Sequence, residues 1–376
     1  MKFDLLYELQ MPKPHDAQSE YRCFHEALEQ IALADRLGFD TVWAVEHHFL
    51  EEFAHCSAPE ILLAAASQRT RRIRLGHGVV LLPHKFNHPI RVAERVAALD
   101  IVSDGRVEFG TGRSSQFEQA GFEIDFQASR DMWQEALEMI PRMWTEDPFE
   151  HAGRFVTVPR RSILPKPVQK PHPPIWMAAT SPQSWEIAGR NGIGILGLTL
   201  FVSVPQLAER VAAYRRALGE AKPVGKVVND RVGAFTIVHV AETHEQAIAN
   251  HGAEAAINYL LYAFRVLGGF VDPQGGGMQR DKAAEEIQST PYRDMIAKEY
   301  PIILKMMKNQ CTFEDLDRED MVIVGDVEHC LRKVERYQQA GLDHLICLMQ
   351  ADRIPHERVM RSIELFAREI APRFRD

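Results

Sequence analysis

A chain of 376 residues with 45% hydrophobic side chains can bury a large core, and one domain of that length suits a barrel or a large α/β fold. A formal net charge of −8, with acids and bases interspersed, argues against nucleic acid or an anionic membrane as the main partner. Five scattered cysteines without a C-x-x-C pair (Cys23, Cys56, Cys311, Cys330, Cys347) speak against a disulfide framework or zinc knuckle and for a reducing, cytoplasmic home.

The first residues, MKFDLLYELQ, lack the basic start of a signal peptide. No apolar run is long enough to span a membrane. KFDLLYEL is a predicted strand, and a helical pattern follows from about Tyr21 to Leu37, stopped by Gly38. TVWAVEH is the second strand, and APEILLAAASQRT is a helix with proline in its first turn. RIRLGHGVVLLP is the third strand and HPIRVAERVAALDIVSDG its helix. RVEFGTG follows, then a helix from about Ser129 to Trp144 and a hairpin-like insert, FEHAGRFVTVP. The second half repeats the rhythm. PIWMAA precedes SPQSWEIAGRNG, GIGILGL precedes SVPQLAERVAAYRRAL, and VGAFTIVHVA precedes a long helix from Thr243 to about Val266. HLICLMQ and the helix PHERVMRSIELFAREI close the chain.

Eight short apolar strands, each followed by a helix, predict a parallel sheet buried on both faces. At this length the expected fold is a (β/α)8 TIM barrel, one domain over residues 1–376, with an open α/β sheet as the alternative. The rhythm breaks between strands seven and eight. Residues 267–326 are rich in glycine and charge and read as an insert, a lid or a surface decoration, with Gly275–Gly277 as a hinge.

In such a barrel the chemistry sits at the C-terminal ends of the strands. Glu46, His47 and His48 end strand two, Gly110 to Arg113 end strand four, and Thr180 and Ser181 end strand five. Alternation turns His47 and His48 to opposite sides, so they do not chelate one metal, and no metal site is expected. In GTGRSS, Gly110 to Ser115, glycines admit a ligand to the backbone and Arg113 offers a planar fork for phosphate. In AATSPQSW, Thr180 or Ser181 caps a helix starting at Pro182, whose free N–H groups suit an anion. GIGILG, Gly192 to Gly197, matches G-x-G-x-x-G but follows a helix and is itself the strand, so a dinucleotide fold is not supported.

GFDTVWAVEHHF, RIRLGHGVVLLPHKFNHPIRVAERVAALDIVSDGRVEFGTGR, PIWMAATSPQSWEIAGRNG and AGLDHLICLMQADRIPHERVMRSIELFAREIAP together resemble the bacterial luciferase-like flavin monooxygenases. The resemblance runs from Met1 to about Tyr214 and again from about Val324 to the end. It implies a barrel that binds reduced FMN from a separate flavin reductase and reacts it with O2, through a peroxyflavin, to oxygenate a small organic substrate. It implies proton transfer by His47 and cofactor contacts at Gly78, Val79, Gly112, Arg113, Ala179, Thr180, Ser181 and Ser184, with Arg113 on the phosphate. A non-proline cis peptide is expected at Gly78–Val79, and a homodimer as the assembly. The reactive cysteine of luciferase's catalytic subunit is replaced by Gly112, which puts light emission and a long-chain aldehyde substrate in doubt. The alternatives are an F420-dependent oxidoreductase and a non-catalytic flavin-binding protein. Pocket-lining residues near Tyr7, Glu8, Phe109 and the insert are expected to set the substrate.

Overall fold

The computed structural model describes residues 1–267, 301–307 and 310–375. Eight strand positions close into a parallel barrel: β1 (Lys2–Tyr7), β2 (Thr41–Ala44), β3 (Arg74–His77) continued by β4 (Val80–Leu81), β5 (Val107–Gly112), β8 (Ile175–Ala179), β9 (Gly194–Leu198), β10 (Val232–Ala241) and β12 (His344–Leu348). The ring closes through β10, which pairs with β9 on one side and β12 on the other. All eight predicted barrel strands are present, and β6 (Phe149–Ala152) and β7 (Thr157–Arg161) form the expected antiparallel hairpin.

Inside the barrel, large and small residues alternate. Trp43 and Trp176 meet edge to face at 5.3 Å between ring centroids. The Trp43 Nε1–H donates to Asp4 Oδ2 at 2.9 Å and the Trp176 Nε1–H to Glu108 Oε2 at 2.6 Å, so both indoles are tethered. Gly76 and Gly194 make room for them: a Cβ on Gly76 would lie 2.2 Å from Trp43 Cε3, and one on Gly194 2.6 Å from Trp176 Cε3. Because Trp43 is held by its hydrogen bond, Gly76→Ala is expected to cost about 1–3 kcal/mol by overpacking. A lowered urea midpoint with an unchanged slope checks this; an unchanged midpoint would mean that the indole finds another rotamer.

The helices that the pattern predicts pack outside. They include α1 (Ser19–Leu37), α2 (Pro59–Ser67), α3 (Pro89–Val102), α5 (Ser129–Thr145), α6 (Pro182–Arg190), α7 (Val204–Leu218) and α13 (His356–Leu365). Gly38 ends α1 with φ +88°, a value that L side chains rarely adopt.

Three features differ from the expectation. A short helix, α4 (Gln116–Gly121), follows GTGRSS; six residues leave no periodic pattern to read. The long helix expected over 243–266 is two, α8 (His244–Ala249) and α9 (Gly252–Leu267), broken where His251 takes φ +68°. The crossover before β12 is α12 (Val327–Gln339), buried through Cys330, Lys333, Val334 and Tyr337. Lys333 interrupts the apolar stripe because its ammonium is paired inside, with Asp320 Oδ1 at 3.1 Å.

Part of the insert lies within the described residues. α10 (Pro301–Met307), α11 (Phe313–Arg318) and β11 (Ile323–Asp326) precede α12, and β11 pairs in parallel with Val238–Ala241 at the far end of β10. The expected hinge at Gly275–Gly277, and with it the lid reading, lies outside the described residues. Among the described residues no helix is long and apolar enough to cross a membrane.

Candidate functional site

Strand alternation decides what faces the barrel interior. Along β1 and its exit, Leu6 and Glu8 turn inward, and Tyr7 turns outward and is buried outside the ring. Beyond β2, Val45 and His47 line the interior and His48 turns away, stacking against Phe86 at 5.9 Å between centroids. Gly112 at the end of β5 faces inward, whereas Phe109 points out and packs edge to face on Trp144 at 5.3 Å. The inward set encloses a cavity of about 240 Å³ at the C-terminal ends of the strands. Strand β2 itself ends at Ala44, earlier than predicted, and in the loop beyond it Val45, Glu46 and His47 all line the cavity.

One end of the cavity is a buried acid–imidazole cluster. Glu118 on α4 is fully buried. Its Oε1 lies 3.0 Å from His47 Nδ1 and accepts the His48 backbone N–H at 2.8 Å. Its Oε2 accepts the Ser115 hydroxyl at 2.9 Å and the Ser114 hydroxyl. Burial alone would raise the Glu118 carboxyl, but the His47 charge and hydrogen bond, with those from Ser114 and His48, bring it down to about 2. Burial alone would lower the His47 imidazolium. The charge and hydrogen bond of Glu118, then the charges of Glu8 and Glu46, outweigh it and raise His47 to about 9. At neutral pH the imidazole is therefore doubly protonated, with Nδ1 committed to Glu118 and Nε2 left toward the cavity.

The pH dependence of the pair follows from these two values. The stabilisation from His47 is complete below its unperturbed 6.5 and is lost as pH rises through about 9. That from Glu118 is complete above its unperturbed 4.5 and is lost as pH falls through about 2. Glu118→Gln should therefore lower Tm most between those unperturbed values, at weakly acidic pH, with a gap that narrows on both sides. It should also move the His47 titration, read by nitrogen NMR, to lower pH. A Tm gap independent of pH would show that the ion pair is not what Glu118 contributes.

The other end carries positive charge. Arg113 follows β5 and its Nη1 donates to Ser129 Oγ at 2.8 Å. Arg130, in the first turn of α5, donates from Nη1 to Gln183 Oε1 at 3.3 Å. Neither makes an ion pair with a carboxylate among the described residues. Burial first, and then the Arg130 charge, depress the Arg113 guanidinium, as expected of two cations that share a site. Opposite them is the N-terminus of α6. Ser181 is its cap: the Ser184 N–H donates to Ser181 Oγ at 3.3 Å, and the Ser181 N–H donates to Ser184 Oγ at 3.1 Å. Thr180, Ser181 and Ser184 line the cavity together with both arginines. The end is open to solvent at Arg130, Thr180 and Ser181. It also communicates with the acid cluster, since Gln119 of α4 donates from Nε2 to the Arg113 carbonyl at 2.7 Å.

Between the two ends the wall is mostly apolar and includes Val79, Met177, Leu196 and the bare backbone of Gly78 and Gly112. The Gly78–Val79 peptide bond is cis. A Cβ on Gly112 would meet Val79 Cγ2 at 2.5 Å, so the packing of Val79 leaves no room for a side chain there.

The structure brings together His47, Gly78, Val79, Gly112, Arg113, Thr180, Ser181 and Ser184 on one cavity. Ala179 is buried and is not among the residues that line the cavity, whereas its neighbours Ala178 and Thr180 are. Near the positions expected to set the substrate, Leu6 and Glu8 line the cavity, while Tyr7 and Phe109 themselves occupy outward positions. The region after strand seven does reach this rim, through Tyr259 of α9. Among the described residues no cluster of three or more metal-ligating side chains is found.

Three residues of the candidate site escaped the sequence reading. Glu118 sits in Ser-x-x-Glu from Ser115, a capping-box signature that foretells a helix start but not that the carboxylate leaves it for His47. Arg130 puts a cation in the first turn of a helix, against the macrodipole, and such a local violation marks a site with another purpose. Tyr259 gave no signal beyond its place on an amphipathic helix.

A closed parallel barrel with its polar groups gathered on the C-terminal rim is the arrangement that barrel enzymes use. The chain belongs to the luciferase-like monooxygenase family, whose model matches residues 1–344. Its relatives include the oxygenase component of the flavin-dependent trigonelline monooxygenase of Acinetobacter baylyi, 25% identical over 100% of this chain and 96% of that protein. The 4-hydroxyprotoasukamycin monooxygenase of Streptomyces nodosus subsp. asukaensis is 32% identical over 92% of this chain and 86% of its own. The crystal structure of monooxygenase RslO1 from Streptomyces bottropensis superposes over 100% of both chains with a TM-score of 0.76 and 26% identity. F420-dependent relatives are also found, such as a hydroxymycolic acid dehydrogenase of Mycobacterium tuberculosis, 29% identical over 50% of this chain.

Proposed function

We propose that this chain is the oxygenase component of a two-component monooxygenase. It takes reduced FMN from a separate flavin reductase and uses O2 to oxygenate a small organic substrate. The observation that carries this reading is the polarity of the cavity, with two arginines and the start of α6 at one end and the partly buried His47, paired with the buried Glu118, at the other.

The residues fit FMN. Two arginines without carboxylate partners among the described residues and the capped start of α6 suit a phosphate dianion. The apolar wall, with bare backbone at Gly78 and Gly112, suits a flat ring. Bound reduced flavin would supply the electrons and the O2 chemistry, which side chains alone do not provide. Arg113 and Arg130 would hold the phosphate and set the depth of the ring. His47 holds a proton at Nε2, where it can be given to an oxygen anion, and Glu118 fixes the ring plane through Nδ1. The apolar wall keeps water from that proton.

The test is direct. The protein is mixed with FMN, a flavin reductase and 18O2, then screened against ketones, terpenes, alkanals and sulfonates. Incorporation of one labelled oxygen into a product is the expected outcome. Oxidation of reduced F420 by a substrate without O2 uptake would replace this reading with hydride transfer. Tight flavin binding with no turnover on any substrate would favour a flavin-binding protein.

A further inference from the structure

We propose that Glu8 holds a proton at Oε2 and passes it to His47 Nε2 after the imidazole has given its own proton into the cavity. The proposal rests on the reading of His47 as the proton donor of an oxygenase.

Glu8 lines the cavity and is 3% exposed. Its two oxygens are in different situations. Oε1 accepts the Tyr259 hydroxyl at 2.7 Å. Oε2 is buried, has no hydrogen-bond partner among the described residues, and lies 3.9 Å from His47 Nε2. A buried carboxyl oxygen without a partner is costly unless it has a use. Nδ1 of the same imidazole is taken by Glu118, so Nε2 is the nitrogen through which a proton can enter or leave. The ring is thus bracketed by two carboxyls from separate elements, one on each nitrogen.

The surroundings of the two acids differ. Glu118 receives four donors and is held as an anion. Glu8 sits beside the aromatic pocket of Tyr259, whose ring lies 5.0 Å from Phe53 and 6.1 Å from Phe235 between centroids. The titratable groups facing Glu8 are His47 from the loop after β2, Tyr259 from α9, Glu118 from α4 and the Cys56 thiol; Glu46 acts on His47 from the other side. Burial pushes the Glu8 carboxyl up, the His47 charge and the Tyr259 hydroxyl pull it down, Glu118 adds to the rise, and the net direction is upward. Two carboxyls pushed apart in this way take the roles of anion and acid.

The step balances without an oxidant or reductant. The Glu8 Oε2–H bond breaks, and a His47 Nε2–H bond forms. The electron pair remains on Glu8 as a carboxylate, to which the Tyr259 hydroxyl already donates. The gap closes to hydrogen-bonding distance with a shift of about 1 Å.

The first test needs no flavin. An infrared difference spectrum, wild type minus Glu8→Gln, recorded near neutral pH, should show the carbonyl band of a protonated carboxyl that moves in D2O. Its absence would mean that Glu8 is ionised, and the proposal is lost. In Tyr259→Phe the band should survive to higher pH, because the hydroxyl that lowers the Glu8 carboxyl is gone; an unchanged midpoint counts against the pair. In the reconstituted system Glu8→Gln should lower turnover by about tenfold or more and change its pH profile, while the Kd for FMN stays within about twofold, near the error of such measurements. Turnover and pH profile equal to wild type would overturn the relay even with the band present. Wild-type protein that neither binds FMN nor oxygenates would defeat the flavin reading alone, since the band reports the Glu8 proton independently.

Discussion

Arg113→Ala is expected to weaken FMN binding by about 30- to 1,000-fold and to leave riboflavin binding within about threefold. The range corresponds to about 2–4 kcal/mol, the usual loss when a partly buried charge pair with directed hydrogen bonds is truncated. Riboflavin lacks the phosphate and is the internal control. Arg113 has no competing carboxylate among the described residues, and its one hydrogen bond, to Ser129 Oγ, leaves most of the guanidinium fork available. Fluorescence titration with both ligands checks the prediction. An equal loss for both would mean that Arg113 shapes the cavity without reading the phosphate. Arg130→Ala should show the same ligand contrast at smaller size, because Arg130 is more exposed to solvent and its charge is better screened.

His47→Ala is expected to lower turnover by about 100- to 10,000-fold, the span of a lost general acid, with FMN affinity nearly unchanged. Released hydrogen peroxide should rise per flavin consumed. The wild-type rate should also fall as pH rises through about 9, where His47 gives up its extra proton. In Glu118→Gln that alkaline limit should move to lower pH, because burial then acts on the imidazolium without its main counter-charge. His48→Ala is the control: His48, which does not line the cavity, contacts Glu46 and stacks on the Phe86 ring, and should affect stability more than rate. Damage from His48→Ala in place of His47→Ala would mean that the loop alternation is one residue out of step.

The eight strands and most of their helices were legible because each repeats a short-range pattern. Apolar runs such as Val-Gly-Ala-Phe-Thr-Ile-Val signal strands buried on both faces, and the residues at helix ends, Gly38, Pro59, Pro89 and Ser181, are those that the local backbone demands. Where local and global demands part, the pattern failed. Lys333 interrupts an otherwise apolar helix face because Asp320, thirteen residues away, supplies its counter-charge. The six residues of α4 are too few for periodicity to show.

The candidate site divides in the same way. Residue types suited to phosphate and to proton transfer stand at strand ends in the sequence itself: Arg113 after two glycines, Ser181 before Pro182, His47 after a strand. Alternation placed His47 and His48 on opposite sides, and the family resemblance, not the spacing, chose His47 as the one facing the flavin. What the sequence left undecided were pairings between distant elements. Glu118 meets His47 across 71 residues, and Tyr259 meets Glu8 across 251. Ala179, Tyr7 and Phe109 are not among the residues that line the cavity, although Ala178, Leu6 and Glu8 beside them are. Sequence therefore determined the barrel and which strand ends carry chemistry, through interactions within a few residues. Tertiary structure alone decided which carboxyl collects four donors and which keeps one oxygen without a partner among the described residues, because burial and the distance between charges are properties of the closed barrel.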